Sequence, residues 1–191
     1  MEVAALLLTF VRVAVACTFI LSVVPKIAAP AEFADSLADV LVPPRLRPIA
    51  AVSIMLLEAS VSFAMVLGGA VLLFGLATAA VLLIGFSAQL GYVLHRGIQM
   101  PCRCFGRSAV PISRFHLYRN VGFLMVVAIG LAMTSLWRFP LGVTLGVGVA
   151  DQYGGLPLIS AAAAAVFTVV WSRVPEIWGL LGVTESSAGS H

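Results

Sequence analysis

The longest stretch of this chain without a charged residue runs from Ala59 to Leu94 and covers 36 residues. As one helix it would measure about 54 Å at about 1.5 Å per residue, whereas the hydrocarbon core of a bilayer is about 30 Å thick. The stretch must therefore turn, and the pair Gly68-Gly69 is where a turn costs least. We predict two membrane-spanning helices here, Ile49 to Leu67 and Ala70 to Leu94.

The composition supports a lipid bilayer as the environment of the whole chain. Of its 191 residues, 61% are hydrophobic and 10% are charged, whereas a soluble domain has about 45–50% apolar and about 25% charged residues. The mean hydropathy is +1.10. The net charge of +3 fits loop arginines that set membrane topology, so we expect no nucleic-acid partner.

The remaining apolar runs complete a bundle. Further spanning helices are predicted at Val3 to Val24, Leu117 to Trp137 and Leu156 to Ser172, with proline breaking the first at "PKIAAP". The predicted fold is an all-α integral membrane protein, a bundle of five transmembrane helices with a short interfacial amphipathic helix between the first two. We expect a single domain over residues 1–180 and a polar tail over residues 181–191.

The interfacial helix is predicted from Ala31 to Val42, a segment too short to span a membrane. Its apolar residues fall on one face and its acidic residues on the other, which is typical of a helix lying at the membrane surface. The apolar face consists of Phe33, Leu37, Val40 and Leu41.

Loop charge predicts the orientation of the five spans. Nine basic residues fall on one side, against Arg138 alone on the other. The nine are Lys26, Arg45, Arg47, Arg96, Arg103, Arg107, Arg114, Arg119 and Arg173. The positive-inside rule then places that side, with the loop between the third and fourth spans, in the cytoplasm and the N-terminus outside.

Two charged residues are predicted inside the membrane, Arg12 in the first helix and Glu58 in the second. Counted from the helix ends, both lie about 13 Å deep at about 1.5 Å per residue. An ion pair between them would remove both unpaired charges. Such a pair either fixes the packing or serves as a proton relay or a polar anchor for a bound quinone or substrate.

A CxC pair, Cys102 and Cys104, lies in the loop between the third and fourth spans. Arg103 and Arg107 stand beside the thiols, and a fixed positive charge favours the reactive thiolate. A disulfide between residues i and i+2 closes a small, strained ring, and strained disulfides are easily reduced. Thiol–disulfide exchange is therefore the favoured chemistry, with Cys102 and Cys104 as its catalytic residues.

Alternatives to thiol chemistry stay open at this level. The thiols could capture a soft metal together with His95 or His116 in a transporter or metal-binding protein, although CxC alone lacks two ligands of a tetrahedral site. We assign no metal ligands and no certain cofactor. In a third alternative the loop only docks a partner, and the protein is a non-catalytic assembly factor. Cys17, in the first helix, is interpreted as a packing residue.

The motif "CRCFG", followed thirteen residues after its glycine by "RN", resembles the MauE family of methylamine utilisation proteins, within the wider DoxX-like group. Arg12, Lys26, Phe33, Pro43 and Glu58 fit the same pattern, and the resemblance covers roughly residues 5 to 137. The family motif has glycine between its cysteines, where this chain has Arg103. That difference strengthens the expectation of a thiolate.

The resemblance implies a small membrane protein of the bacterial plasma membrane that supports redox maturation of a partner, such as the methylamine dehydrogenase small subunit. A thioredoxin-like or secreted client protein is the expected partner, and a quinone is a candidate electron acceptor. We assign Phe105, Gly106, Arg119 and Asn120 to fixing the loop, the last two by hydrogen bonds at the start of the fourth span.

Two of these expectations conflict. Disulfide formation belongs outside the cytoplasm, whereas the loop charges place Cys102 and Cys104 inside. Either the loop exchanges electrons on the cytoplasmic side, or its arginines serve the thiols rather than the topology.

Overall fold

A computed structural model describes residues 2–40, 42–96, 114–136 and 156–180. Within these ranges the chain forms six α-helices and one 3-10 helix, and it has no strand. The helices are α1 (Glu2–Ala28), α2 (Pro30–Ser36), the 3-10 helix Leu37–Val40, α3 (Arg47–Leu67), α4 (Val71–His95), α5 (Arg114–Leu136) and α6 (Leu156–Leu180). The predicted all-α fold is confirmed.

Four of these helices are long and apolar enough to cross a membrane: α1, α3, α4 and α5. The segment Leu158–Arg173 of α6 is a shorter apolar helix. The chain is therefore a multi-pass membrane protein. The apolar segment around residues 141–150 and the tail 181–191 lie outside the described residues.

The first helix is longer than predicted, because Pro25 does not end it. Proline lacks an N–H donor, but its carbonyl still accepts, and the N–H of Ala29 donates to Pro25 O at 3.2 Å. Helix α1 therefore continues to Ala28. As a consequence, Lys26 lies on the last turn of α1 and not in a loop.

The segment predicted as one helix from Ala31 to Val42 is helical but divided, since α2 ends at Ser36 and a 3-10 helix continues from Leu37 to Val40. Phe33 and Leu37 are buried and pack with Ala51 of α3, whereas Asp35 on the opposite face is exposed. Burial of one apolar face against α3 fixes this short segment, which would be marginal as an isolated helix.

The turn between α3 and α4 occurs at the predicted glycines. Gly68 and Gly69 have φ values of 69° and 65°, in the left-handed region that glycine adopts without steric strain. The two helices stay in close contact after the turn, since an ideal Cβ on Gly75 would lie 2.6 Å from Ala64 Cβ.

Contacts along α1 establish the directions of its neighbours. Arg12 contacts Met65, and ten residues later Ser22 contacts Glu58, so α1 and α3 are antiparallel. The hydroxyls of Ser160 and Thr168 in α6 donate to Leu6 O and Ala14 O of α1, which makes α6 parallel to α1.

The C-termini of α1, α4 and α6 and the N-termini of α3 and α5 therefore lie at the same end of the bundle. We call it the loop-bearing end, because residues 97–113, which include the CxC pair, connect α4 to α5 there. The apolar core of the bundle lies between α1, α3, α4 and α5, around Phe19, Met65, Leu76 and Phe123.

Candidate functional site

The ten site residues expected from the sequence fall into two groups. Six of them lie outside the described residues: Cys102, Arg103, Cys104, Phe105, Gly106 and Arg107. The other four, Arg12, Glu58, Arg119 and Asn120, are all buried within the helical bundle.

Glu58 forms a buried ion pair with Lys26, and not with Arg12 as the sequence analysis expected. The side chains of Lys26 and Glu58 are 1% and 0% exposed. The ammonium donates to Glu58 Oε1 and to Ser22 Oγ, the latter at 2.9 Å. The Ser22 hydroxyl in turn donates to Glu58 Oε1 at 2.9 Å. These three side chains form a closed hydrogen-bonded triangle between α1 and α3.

Aromatic rings enclose the ammonium of Lys26 on two further sides. Its nitrogen lies 5.1 Å from the ring centre of Phe33 in α2 and 4.9 Å from that of Phe86 in α4. Both distances suit a cation–π interaction, which strengthens when the cation is removed from water. Lys26 thereby links four elements, α1 through α4, in one site.

Arg12 instead binds the end of α3. Its Nε donates to Met65 O at 2.9 Å, and its Nη2 donates to Val66 O at 3.2 Å. The last carbonyls of a helix have no partner within the helix and carry a partial negative charge. The guanidinium therefore caps α3, and these two hydrogen bonds help to stabilise the buried arginine.

The expected Arg12–Glu58 pair is wrong because it assumed that α1 and α3 begin and end at the same depth. The structure places Glu58 beside Ser22, ten residues after Arg12. That separation is about 15 Å along a helix, beyond the reach of an arginine side chain. Which basic residue pairs with Glu58 therefore depends on the register between α1 and α3, and not on the lengths of the two helices.

Arg119 and Asn120 lie farther inside their helix than expected. The sequence predicted both residues at the start of the helix, where backbone N–H groups lack partners. Because α5 begins at Arg114, both residues instead lie beyond its first turn. Arg119 Nη1 donates to Ser172 O of α6 at 3.4 Å, and Trp171 Nε1 donates to Arg119 O at 3.2 Å. These contacts attach α5 to α6; the predicted role of both residues in fixing the loop stays a prediction.

A small cavity separates the ion pair from Arg119 and Asn120. Its volume is about 10 Å³, which is space for about one water molecule. The lining residues come from α1 (Thr18, Phe19, Ser22), α4 (Leu83, Phe86, Leu90) and α5 (Arg119, Asn120). Ser22 belongs both to the triangle and to the cavity wall. We call the six polar residues Thr18, Ser22, Lys26, Glu58, Arg119 and Asn120 the polar cluster.

The polar cluster occupies the half of the bundle toward the loop-bearing end. Leu90 is five residues from the end of α4, and Asn120 is six residues from the beginning of α5. His116, in the first turn of α5, is also buried. In the part of the chain that the structure describes, no three His, Cys, Asp or Glu side chains meet as a metal site would require.

Sequence reasoning missed Lys26 as the counterion, and with it Ser22 and Phe86. Lys26 was counted among the loop charges because Pro25 was expected to end the helix. A signal was present, since Ser22 and Lys26 are four residues apart and side chains at this spacing share a helix face. A first helix that continues through Pro25 places Ser22 and Lys26 on one face, where both can donate to Glu58.

Comparison with known families gives one match. A family model described as methylamine utilisation protein MauE matches residues 4–133, a span that begins in α1 and ends in α5. Comparison with curated proteins and with solved structures gave no match.

Proposed function

Because the chain belongs to the MauE family of methylamine utilisation proteins, we propose that this membrane protein supports the maturation of a partner protein by thiol–disulfide exchange. Cys102 and Cys104 are the exchanging residues, and Arg103 and Arg107 stabilise the thiolate that leaves when their disulfide is attacked. The partner is a thioredoxin-like protein or a secreted client, for which the family suggests a subunit of methylamine dehydrogenase.

The observation that carries this proposal is the position of the polar cluster relative to the loop. Helices α4 and α5 place the two ends of the CxC loop, Arg96 and Arg114, at the loop-bearing end. The same half of the bundle contains Lys26, Glu58 and Arg119. Buried charges in a membrane are expensive and are typical of functional sites. The loop that carries the two thiols is thus joined to the end of the bundle that contains these charges.

The exchange step follows from the strain of the small disulfide ring. A partner thiolate attacks one sulfur of the Cys102–Cys104 disulfide and forms a mixed disulfide, while the other cysteine leaves as a thiolate. The second partner thiolate then attacks the mixed disulfide. Two electrons pass from the partner to the loop, so that the partner gains a disulfide and Cys102 and Cys104 become thiols. A strained ring favours this direction.

The proposal is tested by trapping the mixed disulfide. The protein, in lipid nanodiscs and carrying Cys17→Ser, is incubated with a thioredoxin whose second active-site cysteine is replaced by serine. We expect a covalent adduct that reductant dissolves, formed when the thioredoxin thiolate attacks the Cys102–Cys104 disulfide and trapped by rapid alkylation of the cysteine that leaves. The adduct is lost when Cys102 and Cys104 are both replaced by serine.

Two other results would contradict thiol exchange. Metal that copurifies with the protein and is lost on Cys→Ser substitution would favour capture of a soft metal. Full maturation of the partner by the Cys102→Ser/Cys104→Ser variant would leave a non-catalytic assembly factor.

A further inference from the structure

We propose that Glu58 is a proton-binding site within the membrane and that it exchanges its proton with the adjoining cavity through Ser22. The inference concerns only residues that the structure describes. It stands without the chemistry of Cys102 and Cys104, so each proposal can fail without the other.

The hydrogen bonds of Glu58 leave its ionised form incompletely satisfied. Oε1 accepts from both Lys26 and Ser22. Oε2 is buried and has no hydrogen-bond partner in the described part of the chain. An ionised carboxylate accepts at both oxygens, and burial penalises charge that is not fully paired. Protonation of Glu58 reduces the charge on the unpaired oxygen.

Lys26 is the charged residue in direct contact with the carboxyl group of Glu58. From α1, Lys26 and the neutral Ser22 face the carboxyl group. Helix α4 contains no Asp, Glu, Lys or Arg, and its contribution near the site is the ring of Phe86. On α2, Glu32 is half-buried and Asp35 is exposed.

The rest of α3 adds no other charge near the carboxyl group. Its next charged residue is Arg47, eleven residues before Glu58. The hydroxyl of Ser62 donates to the backbone oxygen of Glu58 and not to the carboxyl group. In the described structure, therefore, the Lys26 ammonium is the charge in direct contact with Glu58, and the Arg119 side chain of α5 lines the same cavity as Ser22.

Ser22 provides the connection to the cavity. Its hydroxyl donates to Glu58 and accepts from Lys26, and the residue also lines the cavity with Thr18, Arg119 and Asn120. The cavity has space for about one water molecule and the polar partners to hold it. A hydronium ion that forms in the cavity when a proton arrives from the solvent gives a proton to Ser22 Oγ and becomes water again, while the hydroxyl proton moves on to Glu58 Oε1. The serine is unchanged and Glu58 is neutral. Lys26 remains an ammonium, which still donates to Ser22 Oγ and still contacts the rings of Phe33 and Phe86.

Infrared difference spectroscopy of the protein in nanodiscs tests this site directly. We expect a carboxyl C=O band, diagnostic of a protonated acid, that grows as the pH is lowered. The band disappears in Glu58→Gln and persists in Glu32→Gln, which removes an acid outside the polar cluster. In Lys26→Met the C=O band should appear at a higher pH than in the wild type, because loss of the ammonium favours the neutral form of Glu58. Folding of each variant is checked by circular dichroism.

A pH jump tests the route. We expect the band to grow several-fold more slowly in Ser22→Ala than in the wild type, and at the wild-type rate in Ser22→Thr, which keeps the hydroxyl. The same results are expected with Cys102→Ser and Cys104→Ser present. A folded protein without a Glu58 band at acidic pH would overturn the site. A wild-type rate in Ser22→Ala would overturn the route.

Discussion

Lys26 of α1 and Glu58 of α3 form an ion pair in which the side chains are 1% and 0% exposed. Their helices are antiparallel, and the pair joins the last turn of α1 to the middle of α3. Ser22 closes the triangle, and Phe33 and Phe86 cover the ammonium. The ion pair places Glu58 in the polar cluster, whereas Arg12 binds the carbonyl groups at the end of α3.

Removal of one partner of this pair should destabilise the protein strongly. Glu58→Ala leaves the Lys26 ammonium buried without a counterion, and such a change costs about 3–5 kcal/mol. The double variant Lys26→Met/Glu58→Leu should recover most of that loss, because no charge remains buried. The free energy of unfolding in detergent is measured for Glu58→Ala, for the double variant, and for its two single changes, Lys26→Met and Glu58→Leu. A double variant as unstable as the sum of its single changes would mean that the pair is not formed.

Arg12 should behave independently of Glu58. Arg12→Met leaves Met65 O and Val66 O without the donor that now binds them, at a cost of about 1–3 kcal/mol per buried group. Hydrogen exchange should rise at the α3–α4 turn and not in α2. Combined with Glu58→Ala, the loss of stability should be additive within about 0.5 kcal/mol. A large coupling energy between Arg12 and Glu58 would contradict the register described for α1 and α3.

Substitutions at two glycines of α4, Gly75 and Gly91, test how closely α3 packs against α4. An added Cβ at Gly75 would approach Ala64 Cβ to 2.6 Å, whereas at Gly91 it would meet no atom within 4 Å. Gly75→Ala should therefore destabilise by about 1–3 kcal/mol through overpacking. Gly91→Ala should be neutral or stabilise by up to about 1 kcal/mol through helix propensity. Thermal unfolding of both variants measures the difference, and equal effects would argue against close contact at Gly75.

The hydrophobic pattern predicted the helices well, for a simple reason. An apolar run must match the thickness of the bilayer, so α3 and α4 begin and end within two residues of their predicted bounds. The glycine pair at their turn and the buried face of α2 follow from equally local rules. Each of these features depends only on residues close together in the sequence.

The ion pairing could not be obtained in this way. Whether Glu58 meets Arg12 or Lys26 depends on how far α1 slides along α3, which many side chains across the interface decide together. The prolines at Pro25 and Pro30 contributed to the wrong ion-pair prediction. They favoured a helix end near Val24, whereas α1 continues to Ala28. A local rule was overridden by tertiary contacts, and the site residues that depend on register were missed as a result.

The orientation of the CxC loop remains a prediction from loop charge. In intact cells, a membrane-impermeant maleimide should not label Cys102 or Cys104 in a Cys17→Ser background, and labelling should appear after the membrane is permeabilised. A positive control replaces Ala70, at the opposite end of the bundle, with cysteine in a chain that lacks the other three. That residue should be labelled in intact cells. Labelling of the loop before permeabilisation would place the thiols outside.

The central claim is that Cys102 and Cys104 form a reversible disulfide that can be passed to a partner. The most direct measurement is the intact mass of the Cys17→Ser protein in nanodiscs, equilibrated across a series of glutathione redox buffers. We expect a reversible loss of two hydrogen atoms, with a fragment spectrum that joins Cys102 to Cys104, and a midpoint potential more oxidising than that of an unstrained structural disulfide. A pair that stays reduced in every buffer, or whose disulfide no buffer reduces, would contradict it.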